Sequence, residues 1–302
     1  MEKRMNKYQL IERILNYYYC DSEDIKLIAS SRMQPELRSI ALEYILLKNR
    51  NYLLQKDNGL KIVSLGCNCY PHTMAIRLGF KFPKWLSLQD RLFFDLGITN
   101  VHNTIKIMTG TENEKLADDY NSTNEWFVSK KYSFLYNHDY VDNKKTKTDN
   151  LSSINNTLSN RLIETKNFLQ NNSCLALIVL YKKKESLNDI YSLYKVLREI
   201  NPVTRLMVID PENLLDKFSE LSKEGIFYDG TRYPNMEQTF VWFDAKSYLT
   251  KQGINYFSKV SDSINAVLQE EAISSEGELR IDPFAASKLN NEYNQLIRQI
   301  LA

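Results

Sequence analysis

Glycine, proline, cysteine and histidine are all scarce in this chain, at 9, 7, 4 and 3 residues of 302. Each shortage removes a class of answer. Four scattered cysteines, Cys20, Cys67, Cys69 and Cys174, do not make the disulfide framework of a small secreted domain. A single glycine, Gly66, stands in the turn after the first apolar strand. A dinucleotide cradle there would carry Gly-x-Gly-x-x-Gly, so that kind of pyrophosphate site is not written. No Asp-x-Asp offers the metal site of a nucleotide-sugar transferase, and the adjacent Asp118-Asp119 reads as solvated charge. The longest apolar run, Cys174 to Tyr181, is far too short to span a bilayer. An excess of one charge is missing too. The 39 basic and 37 acidic residues leave +2, which gives no reason to invoke nucleic acid. Charge without a following apolar stretch at Met1 to Lys7 predicts no secretory signal, hence a reduced, cytoplasmic protein.

What is present is an ordinary globular composition, 43% hydrophobic and 25% charged. Residues 6 to 56 carry helical periodicity with almost no strand signal, which predicts a helical N-terminal subdomain over 1–58. In it, Pro35-Glu36-Leu37 opens a helix whose Ile40, Tyr44 and Leu47 share one face. From residue 60 strands and helices alternate. Strands are expected at Ile62 to Leu65, Leu92 to Phe94, Tyr132 to Tyr136, Leu175 to Tyr181, Arg205 to Ile209, Phe227 to Tyr228 and Thr239 to Phe243. Helices are expected at Pro71 to Leu78, Val101 to Met108, Leu151 to Leu169, Leu187 to Ile200, Pro211 to Leu221 and Leu249 to Leu268. Residues 109 to 130 read as a polar excursion. The predicted fold class is α/β, a mostly parallel sheet flanked by helices, over 59–270. A helical tail over 271–302, with a final helix from Ala285 to Leu301, is expected to pack on this core.

The densest chemistry lies in Lys61-Ile62-Val63-Ser64-Leu65-Gly66-Cys67-Asn68-Cys69-Tyr70-Pro71-His72. It reads as strand, glycine turn and helix start. Cys69 falls near the helix N-terminus, where backbone N–H groups and the helix dipole favour a thiolate. Gly66 permits close approach of a substrate, and Asn68 with nearby amides offers oxyanion donors. Two other readings stand beside the nucleophile. In one, the thiols pack as small apolar groups. In the other, Cys67, Cys69 and His72 are three soft ligands, but a structural zinc takes four and no second pair is present, so no metal is expected. Among the histidines, His138 stands at a strand's carboxyl end, where α/β sites gather. Asp139 adjoins it, although neighbours on a strand point to opposite faces. His72 is the lesser candidate for a base, because a cation in the first helical turn opposes the dipole. His102 reads as a helix-start residue.

Together, Ser64-Leu65-Gly66-Cys67-Asn68-Cys69 and Ala75-Ile76-Arg77-Leu78-Gly79-Phe80-Lys81 resemble the start of an uncharacterised bacterial family described as papain-like cysteine peptidases. That start reads Ser-Leu-Gly-x-x-Cys…Leu-Arg-x-x-Gly-Leu-Arg. Phe93-Phe94-Asp95-Leu96 is similar to the family's Pro-Phe-Asp-Trp, with Phe93 and Leu96 departing from it. His138-Asp139 matches a later His-Asp, and Arg161 an Arg in the following helix. The resemblance covers roughly residues 60 to 260. It implies Cys69 as nucleophile, His138 and Asp139 as the basic pair and Asp95 as the acidic landmark. Ser64, Gly66, Asn68, Arg77 and Arg161 are the implied substrate or oxyanion contacts.

Three functions are therefore expected to compete. The first is a thiol-dependent acyl-transfer enzyme acting on a small-molecule, peptide or glycan substrate. Its start is also similar to that of polysaccharide-biosynthesis acetyltransferases that bind coenzyme A, the one cofactor in prospect. The second is a glycosyltransferase of surface-polysaccharide assembly. The third is a non-catalytic effector whose helices over 6–56, with Tyr17-Tyr18-Tyr19, dock a partner.

Overall fold

The computed structural model describes residues 34–66, 69–81, 92–95, 97–110, 115–121, 126–136, 151–180, 185–215, 220–221, 225–232 and 248–276. It is an α/β protein. A parallel four-stranded sheet runs in the order β1 (Lys61–Ser64), β6 (Cys174–Val179), β7 (Arg205–Ile209), β8 (Phe227–Asp229). β6 is Cys-Leu-Ala-Leu-Ile-Val, buried at every position, because it is paired on both edges and covered on both faces. Helix α4 (Leu151–Asn171) delivers the chain to β6, and α5 (Leu187–Ile200) carries it on to β7. Ser186 caps α5 by accepting from the Asp189 amide, and Ile190, Leu193 and Leu197 form its buried stripe.

A second sheet is antiparallel, in the order β2 (Gly97–Ile98), β5 (Phe134–Tyr136), β4 (Trp126–Ser129), β3 (Asp119–Asn121). It shares one core with the parallel sheet. Phe127, Phe134 and Tyr136 belong to the same buried cluster as Val63, Ala176, Ile178 and Val208. Phe134 stacks on Phe93 at 4.8 Å, and a side chain at Gly97 would run into the Phe134 ring. The polar excursion expected over 109 to 130 is thus corrected: its described part carries two strands. They are too short, and Asp119-Tyr120-Asn121 too polar, for a period of two to stand out.

The chain divides into two units. One comprises residues 59–76 and 81–243, which hold both sheets, and the other 1–58, 77–80 and 244–302. Residues 244–270, expected in the α/β domain, therefore group with the helical one. In the helical unit, α1 (Pro35–Asn58) packs on α6 (Lys251–Glu276). Asn51 holds the pair by donating to Ser261 Oγ at 3.0 Å and accepting from Asn265 Nδ2 at 2.8 Å.

Two smaller expectations change. Leu92 to Phe94 is not a strand; a 3-10 turn spans Phe93–Asp95. After β7 no helix begins at Pro211, because the Asp210 carboxylate accepts from the Leu214 and Leu215 amides and Asn213 takes a left-handed φ of 52°. The helices expected before residue 33, the strand at Thr239 to Phe243 and the helix from Ala285 lie outside the described residues. Among the described residues, no helix is long and apolar enough to cross a membrane.

Candidate active site

The site is built where β1 ends. Val63 and Leu65 face the shared core, so strand alternation turns Ser64 to the opposite face. Leu65 N–H still donates to Leu177 O at 2.9 Å, and then the ladder stops. Gly66 turns the chain at φ 55°. A side chain there would place its Cβ 2.5 Å from Thr104 Oγ1, on helix α3 (Val101–Thr109). Glycine is required on both counts. Three residues later Cys69 accepts the first helical bond of α2 (Tyr70–Arg77), from the Thr73 amide at 3.1 Å. Cys69 is therefore the N-cap, and His72 is the third helical residue. Side chains three apart at a helix start are neighbours.

Cys69 is 4% exposed, and burial pushes its thiol up to about 11, against weak help from its own backbone N–H. The expected thiolate is thus corrected to a neutral thiol. The dipole contributes about 0.3–1 kcal/mol at a surface, while taking a charge out of water costs several. Cys174, inside β6, is a buried thiol as well.

Against this face lies a cluster of four buried polar side chains: Ser64, His72, Lys81 and Asp95. Lys81 Nζ donates to Asp95 Oδ1 at 2.7 Å and to Ser64 Oγ at 3.1 Å, and it lies 3.2 Å from His72 Nδ1. His72 Nδ1 is 3.0 Å from the same Asp95 Oδ1. The other carboxylate oxygen, Oδ2, accepts from Leu92 N–H at 3.0 Å and closes the 3-10 turn. Phe93 N–H donates to Thr165 Oγ1 of α4 at 2.9 Å, which ties the turn to the core. Asp95 is wholly buried, and burial alone would raise its carboxyl. The charges of His72, once protonated, and of Lys81 outweigh that and hold it well below the usual carboxylate range. Burial also pulls the Lys81 ammonium below its ordinary value, with Asp95 opposing.

His72 Nδ1 thus stands between an ammonium that can donate to it and a carboxylate that can accept from it. With its hydrogen on Nδ1 the ring donates to Asp95 and leaves Nε2 basic, and with its hydrogen on Nε2 it accepts from Lys81. No family model, curated protein or solved structure matches the chain.

The remaining candidates are distributed unevenly. Ser64, Gly66 and Asp95 converge with Cys69 on this end of β1. Arg161 is buried in α4, bonded to the Tyr136 hydroxyl and 5.7 Å from that ring's centroid, so its described contacts serve the fold. Arg77 groups with the helical unit, its guanidinium 5.0 Å from the Tyr248 ring. Asn68, Cys67, His138 and Asp139 lie outside the described residues. Among the described residues no three His, Cys, Asp or Glu side chains converge as metal ligands. Lys81 and the pairing of His72 with Asp95 escaped the sequence reading. The available signal was a lysine set between aromatics, in Phe80-Lys81-Phe82, where a solvated lysine would not be expected.

Proposed function

We propose that the chain is a thiol-dependent acyl-transfer enzyme, with Cys69 as nucleophile, His72 as general base and Asp95 as the carboxylate that orients it. One observation carries the reading: the buried 3.0 Å contact of His72 Nδ1 with Asp95, one turn along the helix that Cys69 caps. An aspartate on Nδ1–H holds an imidazole so that Nε2 takes the proton of a nucleophile.

A neutral thiol near 11 leaves almost no resting thiolate, so proton removal accompanies attack. The Cys69 sulfur bonds to the acyl carbon while His72 Nε2 takes the thiol proton. Collapse breaks the bond to the leaving group, which departs with the proton from Nε2. Water, deprotonated by the same nitrogen, then cleaves the thioester and restores the thiol. Backbone N–H groups of the first turn of α2 are the available donors for the developing oxyanion; Pro71 contributes none. The likeness to the papain-like peptidase family supports the same nucleophile and class, with His138 as its base.

The test is acylation by p-nitrophenyl acetate, read by peptide mass mapping of the quenched protein. The expected result is one acetyl group per chain on Cys69, removed by hydroxylamine, with turnover abolished in Cys69→Ala. Full turnover by that variant overturns the reading.

A further inference from the structure

Two more acids stand towards the other edge of the parallel sheet. Asp210 follows β7 and Asp229 ends β8, so both lie at carboxyl ends of parallel strands, where ligands of α/β sheets bind. The two are held differently. The Asp210 carboxylate accepts from the Leu214 and Leu215 amides and, at 3.0 Å, from the Tyr228 hydroxyl, which engages both of its oxygens. Asp229 Oδ1 accepts from the Thr231 amide at 2.7 Å, but Oδ2 is buried with no donor among the described residues. The neighbouring Arg232 is exposed. In the amide orientation that the bonds of Asn213 require, Arg232 Nη2 donates to Asn213 at 2.8 Å.

Strand register places Asp229 relative to the proposed site. Ser64 pairs with Leu177, Leu177 with Met207 and Met207 with Phe227, so these four side chains share one face. Asp229 stands two residues beyond Phe227 and takes that face as well, while Asp210 takes the other with Tyr228. Three strand spacings of about 4.8 Å set Asp229 roughly 14 Å across the sheet from β1, level with Gly66.

We infer that Asp229 is a substrate-binding residue, whose Oδ2 receives a protonated amine carried by the acyl substrate. The inference rests on the acyl-transfer reading and names the class of substrate for it. A buried carboxylate oxygen without a donor is costly, and a donor that is itself charged offsets that cost best. A divalent cation takes several oxygens at once, and no three acids converge among the described residues. An ammonium needs only the one anchor. At about 3.4 Å per extended residue, an amine about 14 Å from the reacting carbonyl corresponds to roughly four residues of peptide. Asp229 is 3% exposed and Cys69 4%, so a ligand that reaches either must displace what covers it.

The test uses the full chain and two p-nitrophenyl esters of tetra-alanine, one with a free amine and one N-acetylated. The free amine, with a pKa of about 8, is mostly protonated at pH 7. There, wild-type Cys69 should favour the free-amine ester in kcat/KM by about 30-fold, and Asp229→Asn should bring that preference close to one. Equal rates for the two esters in wild type overturn the inference. Tetra-alanine amide gives a reading that needs no thiol chemistry. By calorimetry it should bind wild type about 30-fold more tightly than Asp229→Asn. Such binding with no acyl group on Cys69 sinks the acyl-transfer reading and leaves the amine anchor standing. Urea melts without peptide separate this role from a structural one. Asp229→Asn should be at least as stable as wild type, because it removes an uncompensated buried charge while its amide oxygen still accepts from Thr231. A clearly less stable or unfolded Asp229→Asn means that Oδ2 has a donor within the chain, and overturns the inference as well.

Discussion

Asp95→Asn is the perturbation that interrogates the cluster most sharply, because it keeps the shape and removes one charge. The amide oxygen of the new side chain can still accept from the Leu92 amide, so the 3-10 turn survives. What changes is the setting of Lys81, whose side chain is 2% exposed and loses the carboxylate that stood 2.7 Å away. Leaving one charge of a buried pair without the other costs about 3–5 kcal/mol. At roughly 2–4 °C per kcal/mol for a domain of this size, the melting temperature should fall by about 6–20 °C. The pH dependence identifies the cause. In the variant the folded state prefers a neutral Lys81, while the unfolded lysine titrates near 10.4. The destabilisation is therefore largest at low pH and shrinks as pH rises through the folded value towards the unfolded one. The double variant Asp95→Asn/Lys81→Met removes both charges and should recover most of the loss. Urea melts of the three proteins from pH 6 to 10 provide the assay. A loss under about 1 kcal/mol that ignores pH would refute the idea that the two groups form a buried ion pair.

Other outcomes follow from the same contacts. Wild type should lose stability below about pH 4, because Asp95 binds its proton far more readily when unfolded, and Asp95→Asn should lack that share of the acid limb. For Cys69 the sign reverses: a thiol raised from 9.0 to about 11 stabilises the fold below pH 9 and loses that contribution as pH rises through 11. The stability difference between wild type and Cys69→Ser should therefore change by about 2 kcal/mol between urea melts at pH 8 and pH 11, at about 1.4 kcal/mol for each tenfold change in proton affinity. Gly66→Ala should cost about 1–3 kcal/mol for its left-handed backbone, with part restored by Thr104→Ala, which removes the hydroxyl 2.5 Å from the new Cβ. Equal melts for Gly66→Ala and wild type would contradict the turn geometry.

The parallel half of the fold was legible because its signals are local. Cys174 to Val179 is an uninterrupted apolar run, and Leu187–Ile200 has a capping serine and a one-sided apolar stripe. Gly79 was readable as the end of α2 and indeed has a φ of 85°. The antiparallel sheet was not, since strands such as Gly97–Ile98 owe their existence to the partners they pair with rather than to their own residues. The site shows the same division. Gly66 and Cys69 announce a strand, a turn and a helix within a few residues. The ionisation state of Cys69 does not follow from that motif, because burial, a tertiary quantity, outweighs the helix dipole. The His72–Asp95, His72–Lys81 and Lys81–Asp95 contacts span gaps of 23, 9 and 14 residues and leave no periodic trace. His72 looked unpromising beside a helix N-terminus only while its carboxylate partner, brought by the turn at Phe93–Asp95, was invisible.

The most direct measurement is the single-turnover rate of Cys69 acylation in His72→Asn and His138→Gln, compared with wild type. An asparagine at position 72 can still donate to Asp95 from the place of Nδ1–H, but it carries no base. The account predicts a fall of about 10²–10⁴ for His72→Asn and a change of at most a few-fold for His138→Gln. An unchanged rate in His72→Asn with a collapse in His138→Gln would contradict it and move the base to His138.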